Sequence, residues 1–417
     1  MTSPREPLSI VTRPSGAVDR ILDWIAPDHP LAFVRNGDGI VGIGELLRLE
    51  FHGANRFSEA TAAWNELSRT AVVHDSVKRA GTGLVAFGSF AFADSSAAVS
   101  VLIVPRIIIG SRDGIQWVTS ITSGEVSGLP DTTDLIASIP RTALGDPVHL
   151  SFAPGEMSPK GFTSTVKAAL REISKGHAAK LVIARDQRGS LPANADLRVP
   201  IDALAACYPD TFTFAVDGLI GSSPETLVRV QNGAVSARVL AGSAARGDDR
   251  ISDGRAASTL ASSAKDQKEH ALALASVMDA LLPLSSELFA ASSPFALQLP
   301  NLWHLATDIE GQLTERSSAL DLVAVLHPTA AVAGTPTPAA IRIIDELEGF
   351  DRGRYAGPVG WVDANGNGEW AVALRCAQVD GTNITAYAGA GIVAGSDPKK
   401  ELAETALKFR PIIEAFG

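Results

Sequence analysis

Three charged residues near the C-terminus, Glu401, Glu404 and Lys408, are spaced i, i+3, i+7 and share one face of any helix that contains them. Two readings fit this spacing. One is a solvated face carrying an i,i+4 Glu–Lys pair. The other is a hard-cation site, in which carboxylates supply oxygen ligands and water and substrate complete the shell, as Mg²⁺ prefers. The preceding segment AYAGAGIVAGSDP favours the second: its glycines at 389, 391 and 395 allow backbone to approach a ligand, and Asp397-Pro398 opens the helix. Glu269 lies in the early turns of SAKDQKEHALALASVMDALL. It is either a surface carboxylate favoured by the helix dipole or, brought beside Glu404, the completion of that cation site.

Other residues carry similar pairs of readings. Lys180 opens the apolar run KLVIARD; it either snorkels at a strand edge or is a desolvated amine able to act as a general base. Glu225, in GSSPETLVRV, is an exposed turn carboxylate or a general acid. Arg375, in EWAVALRCAQV, has Ala371, Ala373 and Ala377 as period-2 face-mates. Those small side chains leave a hollow that a carboxylate could fill in bidentate fashion; the alternative is an ion pair with another strand. His304, in NLWHLATDIEG, is a core histidine with a backbone partner or a pocket group. Together they describe a pocket for a Mg²⁺-bound, dianionic small acid.

The elements that must position these groups read as hairpins separated by helices. LAFVRNGDGIVGIGELLRLEF alternates around Asn36-Gly37, a strong hairpin signal. Its glycines at 39, 42 and 44 read as strand glycines, because no strand-then-helix pattern surrounds them as a nucleotide loop would need. GLVAFGSFAF and VSVLIVPRIII are further strands, so residues 1–150 form a β-rich, motif-poor half. After a Pro/Gly/Ser connection at 153–159, residues 155–417 hold every candidate group. Helices are predicted over 160–175 (stripe Val166, Leu170, Ile173), 264–282, 321–326, 338–348 and 398 to about 409. Strands are predicted at AKLVIARD, in several pieces over 211–239 with an Asn232-Gly233 turn, and over 355–393 with turns at DANGNG and DGTN. This succession indicates an α+β protein with large antiparallel sheets, working as one unit over 1–417.

The chain has 417 residues, 46% of them hydrophobic, and a formal net charge of −10. The acidic balance argues against nucleic acid and anionic membrane as partners. Two cysteines, Cys207 and Cys376, exclude a disulfide scaffold and fit a reducing, cytoplasmic setting. The opening MTSPREPLS lacks an apolar leader core, and the apolar stretch 97–110 is interrupted by Pro105 and Arg106 and is too short to span a bilayer.

From about Lys160 onward the sequence resembles the chorismate-binding enzymes: isochorismate synthases, salicylate synthases, and the large subunits of anthranilate and aminodeoxychorismate synthases. The resemblance rests on KLVIARD, GSSPETLVR, LAGSAARG, KDQKEH, LWHL, LHPTAAVAGTP, YAGPVGW, ALRCAQ and GAGIVAGSDPKKELAET, in that order. It implies antiparallel sheets packed together with helices outside. It implies that Lys180 activates the water that attacks C2 of chorismate, that Glu225 assists loss of the C4 hydroxyl, and that Glu269, Glu404 and Glu401 hold Mg²⁺. Arg375 and Tyr355 match groups that bind the pyruvyl carboxylate, Gly242, Gly389 and Lys408 match substrate- or metal-site positions, and His304 lies near the ring carboxylate. Within the family, aminodeoxychorismate synthases of this type carry a nucleophilic Lys where this chain has Ala241. Anthranilate synthases lack the Lys180 base because ammonia is their nucleophile, and salicylate synthases carry Thr near Ala331. The resemblance therefore implies an isochorismate synthase, with salicylate synthase as the alternative and an anthranilate synthase large subunit behind it. A non-catalytic partner subunit would have lost the base or the metal carboxylates. With water as nucleophile, no glutaminase subunit is needed and a monomer is expected.

Overall fold

Two-residue turns with left-handed backbone set the strand pairing. Asn36-Gly37 (φ 51° and 81°) joins Leu31–Arg35 to Asp38–Phe51, and Asn232-Gly233 (φ 50° and 83°) joins Thr226–Gln231 to Ala234–Ala245. Asp113-Gly114 and Asp217-Gly218 close two further hairpins in the same way. Positive φ at both central residues matches the right-handed twist of the flanking strands. The computed structural model describes residues 6–16, 18–124, 132–298, 302–314 and 317–417. The first five residues, part of the segment read as lacking a leader, lie outside these, as does Asn301 of the NLWHLATDIEG segment.

The ladders run outward from Ser100–Arg112 in two long arms. One passes through Asp38–Phe51, Leu31–Arg35, Phe212–Val216, Leu219–Ser223, Cys376–Asp380 and Asn383–Val393 to Lys180–Ser190. The other passes through Val85–Ser89, Pro358–Asp363, Gly368–Val372, Thr226–Gln231 and Ala234–Ala245 to Leu302–Leu313. Among the described residues these ladders are antiparallel, and the parallel pairing is that of Leu8–Ser15 with Val72–Asp75. Strands from the first 150 residues thus lie between strands from the rest. Between the arms a large apolar core holds Trp117, Trp361 and Trp370, each fully buried. The indoles demand bare backbone opposite: a Cβ on Gly110 would lie 2.2 Å from Trp117, and one on Gly88 2.4 Å from Trp370.

Helices cover the outside. Pro159–Ser174 and Thr337–Glu348 pack on Lys180–Ser190 and Pro398–Phe416 packs on the adjoining strand Asn383–Val393, where Phe162, Val166, Leu181, Ile183, Ile344 and Ile392 form a separate apolar cluster. Ala264–Leu281 lies along Ala234–Ala245 and buries Ala273, Val277 and Leu281. The fold is α+β, with large antiparallel sheets and helices outside them.

Several expectations are corrected. The β-rich N-terminal half also contains the helix Arg56–Thr70, whose Phe57, Ala60 and Trp64 form a buried i, i+3, i+7 stripe. Arg198–Cys207 and Arg250–Ser262 are helices not foreseen from sequence. The last helix runs to Phe416 rather than ending near Phe409. Pro411 cannot donate a backbone hydrogen bond, yet burial of Phe409, Ile412 and Phe416 carries the helix through it. The strand expected to carry Arg375 is broken: Gly368–Val372 and Cys376–Asp380 are separate, and Arg375 between them is left-handed at φ 47°. Its presumed alternation with Ala371, Ala373 and Ala377 therefore does not hold.

Candidate active site

A cavity opens between the two arms. Lys180, Glu225, Gly242, Glu269, His304, Ala331, Tyr355, Arg375, Gly389, Glu404 and Lys408 all line it. Of the residues singled out from sequence, Glu401 alone is absent from the lining; it is buried one turn before Glu404 on the same helix. All of the lining comes from residue 180 onward.

Lys180 stands at the first position of Lys180–Ser190, only 1% exposed, and its Nζ lies 3.0 Å from Glu269 Oε1. The snorkelling reading fails, because the amine points inward and is paired. Glycine at 391 makes room: a Cβ there would lie 2.9 Å from Glu269 Oε1 and 3.3 Å from Lys180 Cε. Glu225 occupies the step between Leu219–Ser223 and Thr226–Gln231. It is 5% exposed, not a solvated turn residue. Its N–H donates to Ser223 Oγ at 3.2 Å and its carbonyl accepts from Val372 N–H at 3.1 Å, which fixes the backbone. Burial pushes its carboxyl up to about 7, against the opposing pull of Lys180, Lys408 and Arg375. A carboxyl so placed holds or releases a proton near neutral pH.

The helix Pro398–Phe416 brings the opposite wall. Asp397 caps its first turn by accepting from the N–H groups of Lys399 and Lys400. Glu404 Oε1 lies 2.7 Å from Lys408 Nζ and accepts from Ser243 Oγ at 3.2 Å. Lys408 Nζ also donates to Gly389 O at 2.9 Å. Burial raises the carboxyl of Glu401, and the like charge of Glu404 raises it further. Repulsion between neighbouring buried carboxylates is what a cation relieves, and Glu269 shares the cavity with Glu404. Among the described residues no three His, Cys, Asp or Glu side chains are gathered into a ready-made metal cluster; the lysines occupy Glu269 and Glu404 instead. The donor set is all oxygen, the chemistry of a hard divalent cation, so the residues fit such an ion once the lysines yield.

A bulge shapes the third wall. The register of Ala234–Ala245 against Leu302–Leu313 shifts between Leu240 and Ser243. The unpaired carbonyls are re-aimed as bulges do: Ala241 O accepts from His270 Nδ1 at 3.2 Å, and Gly242 O from His304 Nδ1 at 3.3 Å. Gly242 is left-handed at φ 83°. Burial, with Arg375 and Lys408 nearby, pushes His304 down to about 3, so its imidazole is neutral. With Nδ1 donating to a carbonyl, Nε2 is left as an acceptor. Arg375 is buried with its charge partly desolvated. Tyr355 stacks on Tyr387 at 5.3 Å, and a Cβ on Gly389 would lie 3.0 Å from the Tyr355 hydroxyl.

Sequence reasoning passed over Ser243, Tyr387 and Val182, all in the lining. Each falls inside a segment already singled out, but Tyr387 stands out only through its stacking on Tyr355. It also missed the buried pair Glu348–Arg352. Arg352 donates to Val332 O and Val182 O, and Glu348 Oε1 accepts from Ala184 N–H, tying two lining segments to one helix end.

The family model for chorismate binding enzymes matches residues 28–417. Isochorismate synthase DhbC of Bacillus subtilis (strain 168) is 39% identical over 285 residues, covering 66% of this chain and 71% of that protein. Isochorismate synthase EntC of Escherichia coli (strain K12) is 42% identical over 243 residues, 57% of this chain and 62% of that protein. Among solved structures, MenF, the menaquinone-specific isochorismate synthase from Escherichia coli, superposes with TM-score 0.80 at 25% identity, covering 100% of this chain and 96% of that one. Anthranilate synthase component I from Streptococcus pneumoniae shares the fold with TM-score 0.71 at 21% identity, covering 92% of each chain.

Proposed function

The chain belongs to the chorismate-binding enzymes, and on that footing we propose that it is an isochorismate synthase, a hydroxymutase that converts chorismate to isochorismate for menaquinone or catecholate siderophore biosynthesis. The observation that carries this reading is the pairing, in one cavity, of an inward-facing amine at Lys180 with a buried carboxyl at Glu225 that burial raises to about 7. Lys180, released from Glu269 and acting as the neutral amine, takes a proton from the water that attacks C2. Glu225 gives a proton to the hydroxyl leaving C4. One proton enters the enzyme and one leaves it, and reversal exchanges the two roles.

Arg375 and Tyr355 bind the pyruvyl carboxylate, and Gly389 and Gly242 keep backbone close to the ring. Uncharged His304 accepts a hydrogen bond from a hydroxyl or water near the ring carboxylate instead of pairing with it as a cation. Glu269 and Glu404, with Glu401 directly or through water, would hold Mg²⁺, which when bound neutralises the ring carboxylate. Lys408 then shifts from Glu404 toward the substrate. The protein acts as a cytoplasmic monomer without a glutaminase subunit.

Ala331 in the lining favours retention of the pyruvyl group, because a methyl there removes a polar contact that could orient isochorismate for elimination. Purified protein supplied with chorismate and Mg²⁺ should give no pyruvate in a lactate dehydrogenase-coupled assay until an isochorismatase is added. Strong pyruvate and salicylate from the protein alone would move it to the salicylate synthases. Unconsumed chorismate would end the proposal.

A further inference from the structure

The helix Ala264–Leu281 buries His270, Ala273, Val277 and Leu281 in one stripe against Ala234–Ala245. His270 is the polar member of that stripe, and a buried imidazole is costly unless it is hydrogen-bonded. The strand it meets explains its place. Between Leu240 and Ser243 the register against Leu302–Leu313 slips, and Ala241 and Gly242 leave the ladder. A buried carbonyl outside the ladder needs another donor. His270 Nδ1 lies 3.2 Å from Ala241 O; a carbonyl only accepts, so Nδ1 carries the hydrogen and donates. His270 Nε2 lies 2.7 Å from the hydroxyl of Thr307, a fully buried residue of the neighbouring strand. One turn earlier on the same helix face, Asp266 abuts the same bulge: a Cβ on Gly242 would lie 3.0 Å from Asp266 Cβ.

Both sides of this contact lead to carboxylates of the large cavity. Glu269 precedes His270 on the helix, lines the cavity and pairs with Lys180. Ser243, where the ladder resumes, donates to Glu404 Oε1 at 3.2 Å. A helix free to slide along the bulge would carry Glu269 away from Glu404, and Mg²⁺ tolerates little change in the placing of its oxygen ligands. We propose that His270 is a positioning residue: by donating to Ala241 O it locks the helix to the bulge and so fixes Glu269 relative to Glu404. It touches neither the substrate nor the reacting atoms. The inference rests on the proposed function, in which those carboxylates hold the cation, and hydrogen bonds of this kind behind a metal site orient its ligands.

The test uses the full chain, and its first readout needs no turnover: the Mg²⁺ Kd obtained from the rise of melting temperature with Mg²⁺, each variant against its own baseline in EDTA. His270→Asn keeps a donor where Nδ1 stands and loses the reach to Thr307. His270→Gln does the reverse, placing its amide where Nε2 stands. If the bond to Ala241 O sets the carboxylates, the glutamine variant weakens the Mg²⁺ Kd about tenfold, the lower end for a residue that orients metal ligands. The Mg²⁺ needed for half-maximal turnover rises by the same factor. The asparagine variant keeps the wild-type Kd although it leaves more space unfilled. A packing role alone predicts the opposite order, because glutamine fills more of the space of the imidazole. Wild-type Kd in both variants, or an equal or larger change in the asparagine variant, overturns the proposal. Should either variant fail to fold, Thr307→Val decides: it removes the second bond and leaves the first, so its Kd should match wild type, and a tenfold change overturns the proposal. Wild-type protein whose melting temperature ignores Mg²⁺ overturns the cation site and the role of His270 with it. Wild-type protein that binds Mg²⁺ but leaves chorismate unconsumed overturns the proposed function alone, because the Kd values still decide the role of His270.

Discussion

The carboxyl of Glu225 ordinarily titrates near 4.5, and in the folded protein burial raises it to about 7. Below the lower value both states hold the proton and the shift contributes nothing. Between the two values the folded state keeps a proton that the unfolded chain has lost, so stability falls as pH rises through this window. Above it the full cost, about 3 kcal/mol, is in place. Glu225→Gln has no charge to bury, so its melting temperature relative to wild type should climb from pH 5 to pH 8; a constant difference would place the carboxyl outside the buried environment described here. The same variant should form no isochorismate, and wild-type turnover should decline as pH rises past about 7, since the acid must start protonated. Lys180→Ala should lower kcat by roughly 10²–10⁴. It also leaves Glu269 buried without its 3.0 Å partner, so rates must be scaled to the folded fraction read by circular dichroism; near wild-type turnover would return Lys180 to a purely structural role. The sequence marked both residues but not their surroundings, because burial at a strand junction is made by distant segments: Val372 holds the Glu225 backbone, and Gly391 makes room for the Lys180 pair.

At the scale of elements, what was legible followed from local chemistry. Asn-Gly turns announced their hairpins, and the amphipathic stripe of Pro159–Ser174 announced its helix. Arg250–Ser262 was not legible because it buries only Leu260 and has no apolar face; a capping box from Asp249 and Ser252 holds its start. The break at Arg375 was invisible for a different reason: a left-handed non-glycine residue is tolerated only where tertiary contacts over-determine it. The Glu348–Arg352 pair likewise belongs to the assembled structure. Its side chains are 2% and 3% exposed, and it fastens the end of Thr337–Glu348 to the carbonyls of Val182 and Val332. Removing one member strands the other charge in the interior. Glu348→Ala should therefore cost about 3–5 kcal/mol in urea denaturation. A loss below about 1 kcal/mol, the level of an exposed ion pair, would show that the pair does not anchor the cavity wall.

At the scale of the whole molecule, an acidic chain with net charge −10 must gather positive charge where a dicarboxylate binds. It does so with Lys180, Arg375 and Lys408, but Glu269, Glu404 and neighbouring Glu401 cancel them when Glu225 is protonated. A dianionic substrate entering alone would leave two uncompensated negative charges in a largely desolvated cavity, at a cost that grows as the local dielectric falls. A divalent cation held by those carboxylates would restore balance, and it would give Glu401, raised by burial and by its neighbour Glu404, a reason to be buried where it is. Two consequences can be measured separately. Activity should vanish after dialysis against EDTA and return with Mg²⁺; full turnover in excess EDTA would remove the cation from the mechanism. Because Glu269 and Glu404 line one cavity only in the folded chain, Mg²⁺ should also raise the melting temperature in a concentration-dependent way, as any ligand of the native state does. Glu404→Gln should abolish that rise; the variant also loses the 2.7 Å pair with Lys408, so its own melting temperature in EDTA is the baseline for the comparison. If Mg²⁺ stabilises the variant and wild type equally, the ion binds elsewhere, and the cancellation of Lys180, Arg375 and Lys408 by acidic neighbours would need another explanation.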